Sequence, residues 1–309
     1  MFFKTKDLMT VGNISGGVAA IIVSMNGMAA SGAAAALATA AGKTGYDVML
    51  AASEAGKPWL FWASMCILFA WFFDAFDGKV ARWLHQTNKF GGEFDNVADL
   101  VAYSVAPSFV VYFAYAKVLL LPGLEDQYLL QQVIAVVIGS LPVISGCIRF
   151  ARFNTVRMDV PGFFIGFPRP ASALLIVSLL NSHLMQMSPM MSWFGVAMVL
   201  FLAFMNLTLW PFISHHGKPF SSHLKFVLHC VWMTVAFSFL VSIVIPLVAG
   251  LFGAKVEPLM PQNLVLDWVL IWLCFYVSVA FLEIPAVSFR HVREVTAFWN
   301  KDSDKVSAE

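Results

Sequence analysis

Four aspartates at helical spacings, Asp74, Asp77, Asp95 and Asp99, stand in a stretch that is otherwise strongly apolar. Written as a pattern, the stretch reads D-x2-D-G-x2-A-R-x8-G-x3-D-x3-D, from Asp74 through Gly78, Ala81, Arg82 and Gly91 to Asp99. A carboxylate near hydrocarbon is costly and marks a functional site by default. Asp74 and Asp77 are three apart and share a face of one helix; Asp95 and Asp99 are four apart and share a face of the next. Four converging carboxylates repel one another unless divalent cations sit between them. Oxygen-only ligation suits Mg²⁺ or Mn²⁺, with Ca²⁺ as an alternative, and does not suit zinc. Gly78 and Ala81 leave room for a ligand on the same face, and Arg82 is a cation suited to phosphate oxygens. Two other readings compete. The aspartates could be helix-end residues paired with Lys79, Arg82 and Lys89, or they could carry protons or cations. Against transport, they cluster at one interface instead of forming a relay across the bilayer.

The elements that must position them are membrane helices. The chain is 60% hydrophobic and 12% charged, with a mean hydropathy of +0.78, far from the roughly 25% charged residues of soluble domains. The expected fold class is all-α, a polytopic membrane helical bundle. Hydropathy and breakers predict eight spans, at about 9–30, 58–83, 94–119, 129–153, 168–186, 190–212, 223–250 and 264–288. Residues 31–57 either prolong the first helix or form an amphipathic lid on the bilayer surface. A connection of about a dozen residues, Trp83 to Phe94, folds the second and third helices back on each other. Gln186-Met187-Ser188-Pro189 is a tight turn that makes the fifth and sixth spans antiparallel.

Basic residues set the orientation. With the N-terminus in the cytoplasm, fifteen of the lysines and arginines face inward and four (Lys43, Lys57, Lys117, Lys255) face outward, a clear positive-inside pattern. The aspartates then lie at the cytoplasmic mouth of the second and third helices. The four cysteines are scattered singly, which argues against zinc and disulfides. The adjacent His215-His216 cannot easily place both rings on one ion and is read as a solvated loop.

The pattern from Asp74 to Asp99 resembles, without a departure, the signature of the CDP-alcohol phosphotransferases, integral-membrane enzymes that displace CMP from a CDP-linked lipid or alcohol. The resemblance implies that Asp74, Asp77, Asp95 and Asp99 bind a pair of divalent cations. It implies that Gly78, Ala81 and Arg82 shape the CDP pocket, that Gly91 allows close approach, and that Asn13 lies near the cytidine. Asp99 would also be the general base on the acceptor hydroxyl. A six-helix core of about residues 1–213 is implied, leaving two additional helices in 214–290 and a cytoplasmic tail in 291–309. A homodimer is a common assembly in such a family; no nucleic-acid partner is expected.

A second match bears on the acceptor. Arg149-Phe150-Ala151-Arg152-Phe153-Asn154, followed by Gly166-Phe167-Pro168-Arg169-Pro170-Ala171, resembles the integral-membrane phosphatidylserine synthases. Phe150 and Phe167 replace the common leucines, and Arg169 is larger than the usual residue between the prolines. The implied substrates are CDP-diacylglycerol and L-serine in a bacterial or archaeal inner membrane, with the site open to the cytoplasm. Arg149 and Arg152 are three apart on one helix face, and either could fork onto the serine carboxylate beside Asn154. Both arginines could instead anchor to lipid phosphate. Inositol phosphate, glycerol phosphate or choline as acceptor, or an archaeal CDP-lipid, would use similar residues. Outside this family, an intramembrane prenyltransferase would need a second aspartate motif on a distant helix, and none is visible.

Overall fold

The computed structural model describes residues 7–83, 89–124, 127–155, 163–213, 233–234, 237–253 and 264–278. Among the described residues, four helices are long and apolar enough to cross a membrane: Asp7–Ala40, Tyr46–Phe76, Phe90–Val118 and Tyr128–Thr155. The protein is therefore a multi-pass membrane protein, built almost wholly from helices.

α1 (Asp7–Ala40) and α2 (Tyr46–Trp83) form a long antiparallel hairpin. Its turn carries Gly42 and Gly45 at positive φ, 80° and 55°, where a β-carbon would be strained. Residues 31–57 are thus the end of one helix and the start of the next, and not a separate lid. The span expected from about residue 58 starts earlier, at Tyr46, with Pro58 inside α2. The exposed Glu54–Lys57 pair, 2.5 Å apart, lies on the same turn of that helix.

The third span begins with α3 (Lys89–Leu100), passes through a π-helical segment at Val101–Val105, continues as α4 (Ala106–Phe113) and ends in a second π-helical segment at Ala114–Val118. It starts at Lys89, so the expected dozen-residue connection is shorter and Gly91 sits in the first helical turn. A π segment misaligns backbone carbonyls, and hydrocarbon offers them no water. At the second segment, side chains from neighbouring helices supply the missing donors. Gln131 reaches the carbonyls of Tyr115 (3.0 Å) and Leu119 (3.3 Å), Gln132 that of Ala116 (3.0 Å), and Ser53 that of Val118 (2.6 Å).

α5 (Tyr128–Thr155) carries Pro142 in its interior. There the Val143 N–H donates to the Ser108 hydroxyl at 2.9 Å, tying α5 to α4. α6 (Arg169–Asn181), the short α7 (His183–Gln186) and α8 (Met191–Leu207) complete the bundle. Among the described residues, one small ladder interrupts the helices. β1 (Phe163–Ile165) pairs antiparallel with β2 (Pro211–Ile213), Phe164 opposite Phe212, and the Gly166 N–H extends it onto the Trp210 carbonyl at 2.8 Å. This ladder pins the start of α6 to the end of α8.

Beyond residue 213, α9 (Ile245–Leu251) follows a π segment at Leu240–Val244, and α10 spans Leu264–Ser278. They pack back on α2: Phe239 stacks on Phe72 with centroids 4.8 Å apart, and Trp272 lies 6.0 Å from Trp71. Asp267 of α10 takes the backbone N–H of His183 at 3.1 Å and its ring Nδ1 at 2.5 Å.

Small residues on α1 let the helices that bear the aspartates come close, the usual device where lipid supplies no hydrophobic drive between helices. Gly16 lies against Ala70 of α2, and a β-carbon on Gly17 would stand 2.8 Å from the Ala102 Cα. Gly32, farther along, has open space around it. Gly17→Val should therefore destabilise the purified protein by about 1–3 kcal/mol, the usual range for overpacking. Gly32→Val should have little effect, and thermal unfolding in detergent compares the two.

Candidate active site and metal centre

Three of the four aspartates meet. Asp74 from the last third of α2, and Asp95 and Asp99 from α3, each present a carboxylate oxygen within 4.8 Å of the other two. Asp77 lies on the next turn of α2; its side chain, with those of Gly78, Ala81 and Arg82, is outside the described residues. Gly91 is buried in the first turn of α3.

Carboxylates this close in a low-dielectric setting need compensation. Tyr103 donates its hydroxyl to Asp74 Oδ2 at 3.0 Å. Asn13, fully buried on α1, donates its amide to Asp99 Oδ1 at 3.0 Å. Arg169 donates from Nη2 to the other oxygen of Asp99, Oδ2, at 3.4 Å, with side chains only 13% and 17% exposed. The same guanidinium lies 5.7 Å from the centre of the Phe150 ring, within cation–π range. The donor set is all oxygen and clustered on one point, so the cluster could hold a hard divalent cation.

Local sequence explains why Arg169 reaches Asp99. Gly166 adopts φ +75°, and Pro168 is extended with φ −61° and ψ 133°. The chain thereby leaves the ladder and enters α6 with Arg169 as its first residue and Pro170 in the first turn. Gly166 also makes space for two other arginines: a β-carbon there would meet Arg149 Nη1 at 2.5 Å and Arg152 Nη2 at 3.2 Å. The two are used differently. Arg152 donates to the carbonyls of Leu207 (2.9 Å) and Thr208 (3.4 Å), satisfying the C-terminal end of α8. Arg149 and Arg169 each keep Nη1 buried with no hydrogen-bond partner. Asn154 is exposed in the last turn of α5.

Two residues of the site were not singled out in the sequence. Tyr103 is four residues beyond Asp99, a spacing that could have found it. Arg169 stands in the sequence only as the large residue between Pro168 and Pro170, and the ladder, a long-range feature, turns it inward. On α1, Asp7 and Thr10 are buried along with Asn13, so a polar edge of three residues, three apart, leads to Asp99.

The comparisons agree with this geometry. The family model described as CDP-alcohol phosphatidyltransferase matches residues 5–210. The chain belongs to the CDP-alcohol phosphatidyltransferase family. It is 41% identical over 120 residues to the CDP-diacylglycerol–serine O-phosphatidyltransferase of Helicobacter pylori strain J99, covering 38% of this chain and 43% of that protein. Proteins of the same name from Methanocaldococcus jannaschii and Bacillus subtilis are 36% identical over 115 residues and 32% over 117. Those matches cover 36% and 38% of this chain, and 48% and 59% of the relatives. The chain thus spans less than two thirds of the length of the curated relatives it matches.

A cation at the cluster should register as stability. Mn²⁺ at ~100 times its Kd should stabilise the protein by ~2.7 kcal/mol. Asp95→Asn should remove most of that gain, with thermal unfolding in the presence and absence of Mn²⁺ as the measurement. An unchanged metal effect in the variant would place the ion elsewhere.

Proposed function

We propose that the protein is a CDP-diacylglycerol–serine O-phosphatidyltransferase, which transfers the phosphatidyl group to the hydroxyl of L-serine and releases CMP. One observation carries the choice of acceptor. Arg169 holds Asp99 through Nη2 while its Nη1 is buried and unpaired, and Arg149 offers a second buried, unpaired Nη1. A guanidinium has five N–H donors in a fixed fork, so one side chain can grip both the aspartate and a substrate carboxylate. A serine bound by its carboxylate to Arg169 would carry its hydroxyl, two carbons away, toward Asp99. The names of the relatives point to the same acceptor. A phosphorylated alcohol such as inositol phosphate or glycerol phosphate would also suit two free guanidinium groups and is the second reading.

In this mechanism Asp99 accepts the proton of the attacking hydroxyl at a carboxylate oxygen. Asn13 and Arg169 fix that carboxylate from two sides, so its orientation is set before substrate arrives. Asp74, Asp77, Asp95 and Asp99 would hold the divalent cations, which supply electrostatic stabilisation to the phosphoryl oxygens and the departing CMP. Tyr103 keeps Asp74 turned toward the cluster. Arg82 would meet the phosphates, while Gly78, Ala81 and Gly91 leave space for the CDP group and Asn13 borders it. Arg149 and Arg169 bind the acceptor carboxylate. Arg152, expected to share that task, braces the α8 end beside them, and Asn154 stands at the outer edge.

The same proposal places the site at the cytoplasmic face of a bacterial or archaeal inner membrane, open sideways to lipid so that acyl tails stay in the bilayer. It assigns 1–213 to a six-helix catalytic core, 214–290 to two additional spans and 291–309 to a tail.

Purified protein incubated with CDP-diacylglycerol, Mn²⁺ and each candidate alcohol should release CMP with L-serine. CMP formed only with inositol phosphate or glycerol phosphate would favour the second reading. Asp99→Asn should reduce turnover at least ~100-fold, at the low end of general-base contributions, and EDTA should stop it. Arg149→Ala should raise the KM for serine ~10-fold or more, as expected for a lost charged hydrogen bond, with a smaller effect on that for CDP-diacylglycerol. Equal changes in both would assign Arg149 a structural part instead.

A further inference from the structure

One turn deeper than the arginines lies a second polar layer that the mechanism above does not use. Asn206 of α8 donates its amide to the hydroxyls of Ser172 at 3.2 Å and Ser145 at 3.4 Å. Ser172 follows Arg169 by three residues on α6, and Ser145 precedes Arg149 by four on α5, so each serine shares a helix face with its arginine. Ser104 follows Asp99 by five residues across the π segment Val101–Val105, whose wider turn brings residues five apart into line. It lies against the α5 backbone at Gly146, where a β-carbon would overlap its hydroxyl. The three helices that carry Asp99, Arg149 and Arg169 therefore each send a hydroxyl to the level below, and α8 adds an amide.

This layer is not closed on itself. Asn206 is 5% exposed and Ser104 1%, and both Asn206 Oδ1 and Ser104 Oγ are buried without a hydrogen-bond partner. An amide that served only to join helices would use both ends, since an unmet buried acceptor is costly. Two acceptor oxygens left open beneath two guanidinium groups match one kind of ligand, a zwitterion. Its carboxylate goes to the arginines, and its ammonium, repelled by them, turns toward neutral oxygens.

We propose that Asn206 and Ser104 form the ammonium subsite of the acceptor pocket, and that they select an amino-acid alcohol over one lacking the amine. The inference rests on the serine reading above and adds specificity-determining residues to it. An ammonium brings three donors; Asn206 Oδ1 and Ser104 Oγ accept two of them, and Ser145 and Ser172 hold the Asn206 amide in place through its nitrogen.

The test compares L-serine with 3-hydroxypropanoate, which is serine without its amino group, used as alternative acceptor and as competitive inhibitor of CMP release. In Asn206→Leu the kcat/KM for serine should fall about 10–100-fold, as for a lost hydrogen bond to a charged group. The KM or Ki of 3-hydroxypropanoate should change less than ~3-fold, so the preference for the amine collapses. Ser104→Ala should shift the preference the same way by a smaller factor. Thermal unfolding and the KM for CDP-diacylglycerol report whether each variant is intact; if Asn206→Leu does not fold, Asn206→Ser and Ser104→Ala decide. Equal losses for both ligands, or an unchanged serine preference, would overturn the subsite while leaving serine as the acceptor. A wild-type protein that releases CMP with another alcohol and never with serine would overturn the serine reading itself, and this subsite with it.

Discussion

Mutual repulsion among Asp74, Asp95 and Asp99 is the constraint around which the bundle is arranged. Three carboxylates from two helices, with oxygens within 4.8 Å, would separate if the helices were free to slide. The protein opposes this at two levels. Small residues on α1 draw α2 and the third span close, as Gly16 and Gly17 show. Neutral and cationic donors then fix the carboxylates: Tyr103 on Asp74, Asn13 and Arg169 on Asp99. Each donor comes from a different part of the chain, so the site exists only when α1, the third span and α6 are assembled. Buried charge of this kind is weak evidence for stability and stronger evidence for use.

Irregular backbone serves the same end. The π segment at Val101–Val105 begins one residue after α3, just past Asp99. It re-phases the helix so that the polar residues following the last aspartate, Tyr103 and Ser104, turn to opposite needs: one reaches Asp74 and the other faces α5. The ladder between β1 and β2 is the other departure from regular helix. By tying residues 163–165 to 211–213, it fixes where α6 starts, and with it the direction of Arg169. The first feature lies within two turns of Asp99, and the second leads directly into Arg169, which pairs with it.

Much of this was legible in the sequence because the signals are local. Asp74…Asp77 and Asp95…Asp99 each lie within one helix, and the 3.6-residue period alone puts each pair on one face. Apolar runs located the third and fourth long spans to within a few residues, whereas the end of α1 and the start of α2 lie ten or more residues inside the stretch 31–57, which is rich in Ala and Gly and gives no hydropathy edge. What stayed hidden depends on distant pairings. Arg169 faces Asp99 across 70 positions, and no periodicity within α6 reveals it. Arg152 shares a helix face with Arg149, yet carbonyls at the end of α8 engage it. The π segments have no residue signature of their own; the one at Ala114–Val118 shows only in the company of Gln131, Gln132 and Ser53, whose amides and hydroxyl serve displaced carbonyls.

Trp71 and Phe72 give the region beyond residue 213 a bearing on catalysis that the family match, ending at 210, does not include. Their rings pack against Trp272 and Phe239, and they stand three and two residues before Asp74. A chain cut back to the matched region would retain every acidic ligand and every arginine discussed, yet its second helix would lose the aromatic clasp that sets how Asp74 is rotated toward its neighbours. The helices beyond residue 213 are in this sense a splint for the aspartate site, built from packed aromatic rings.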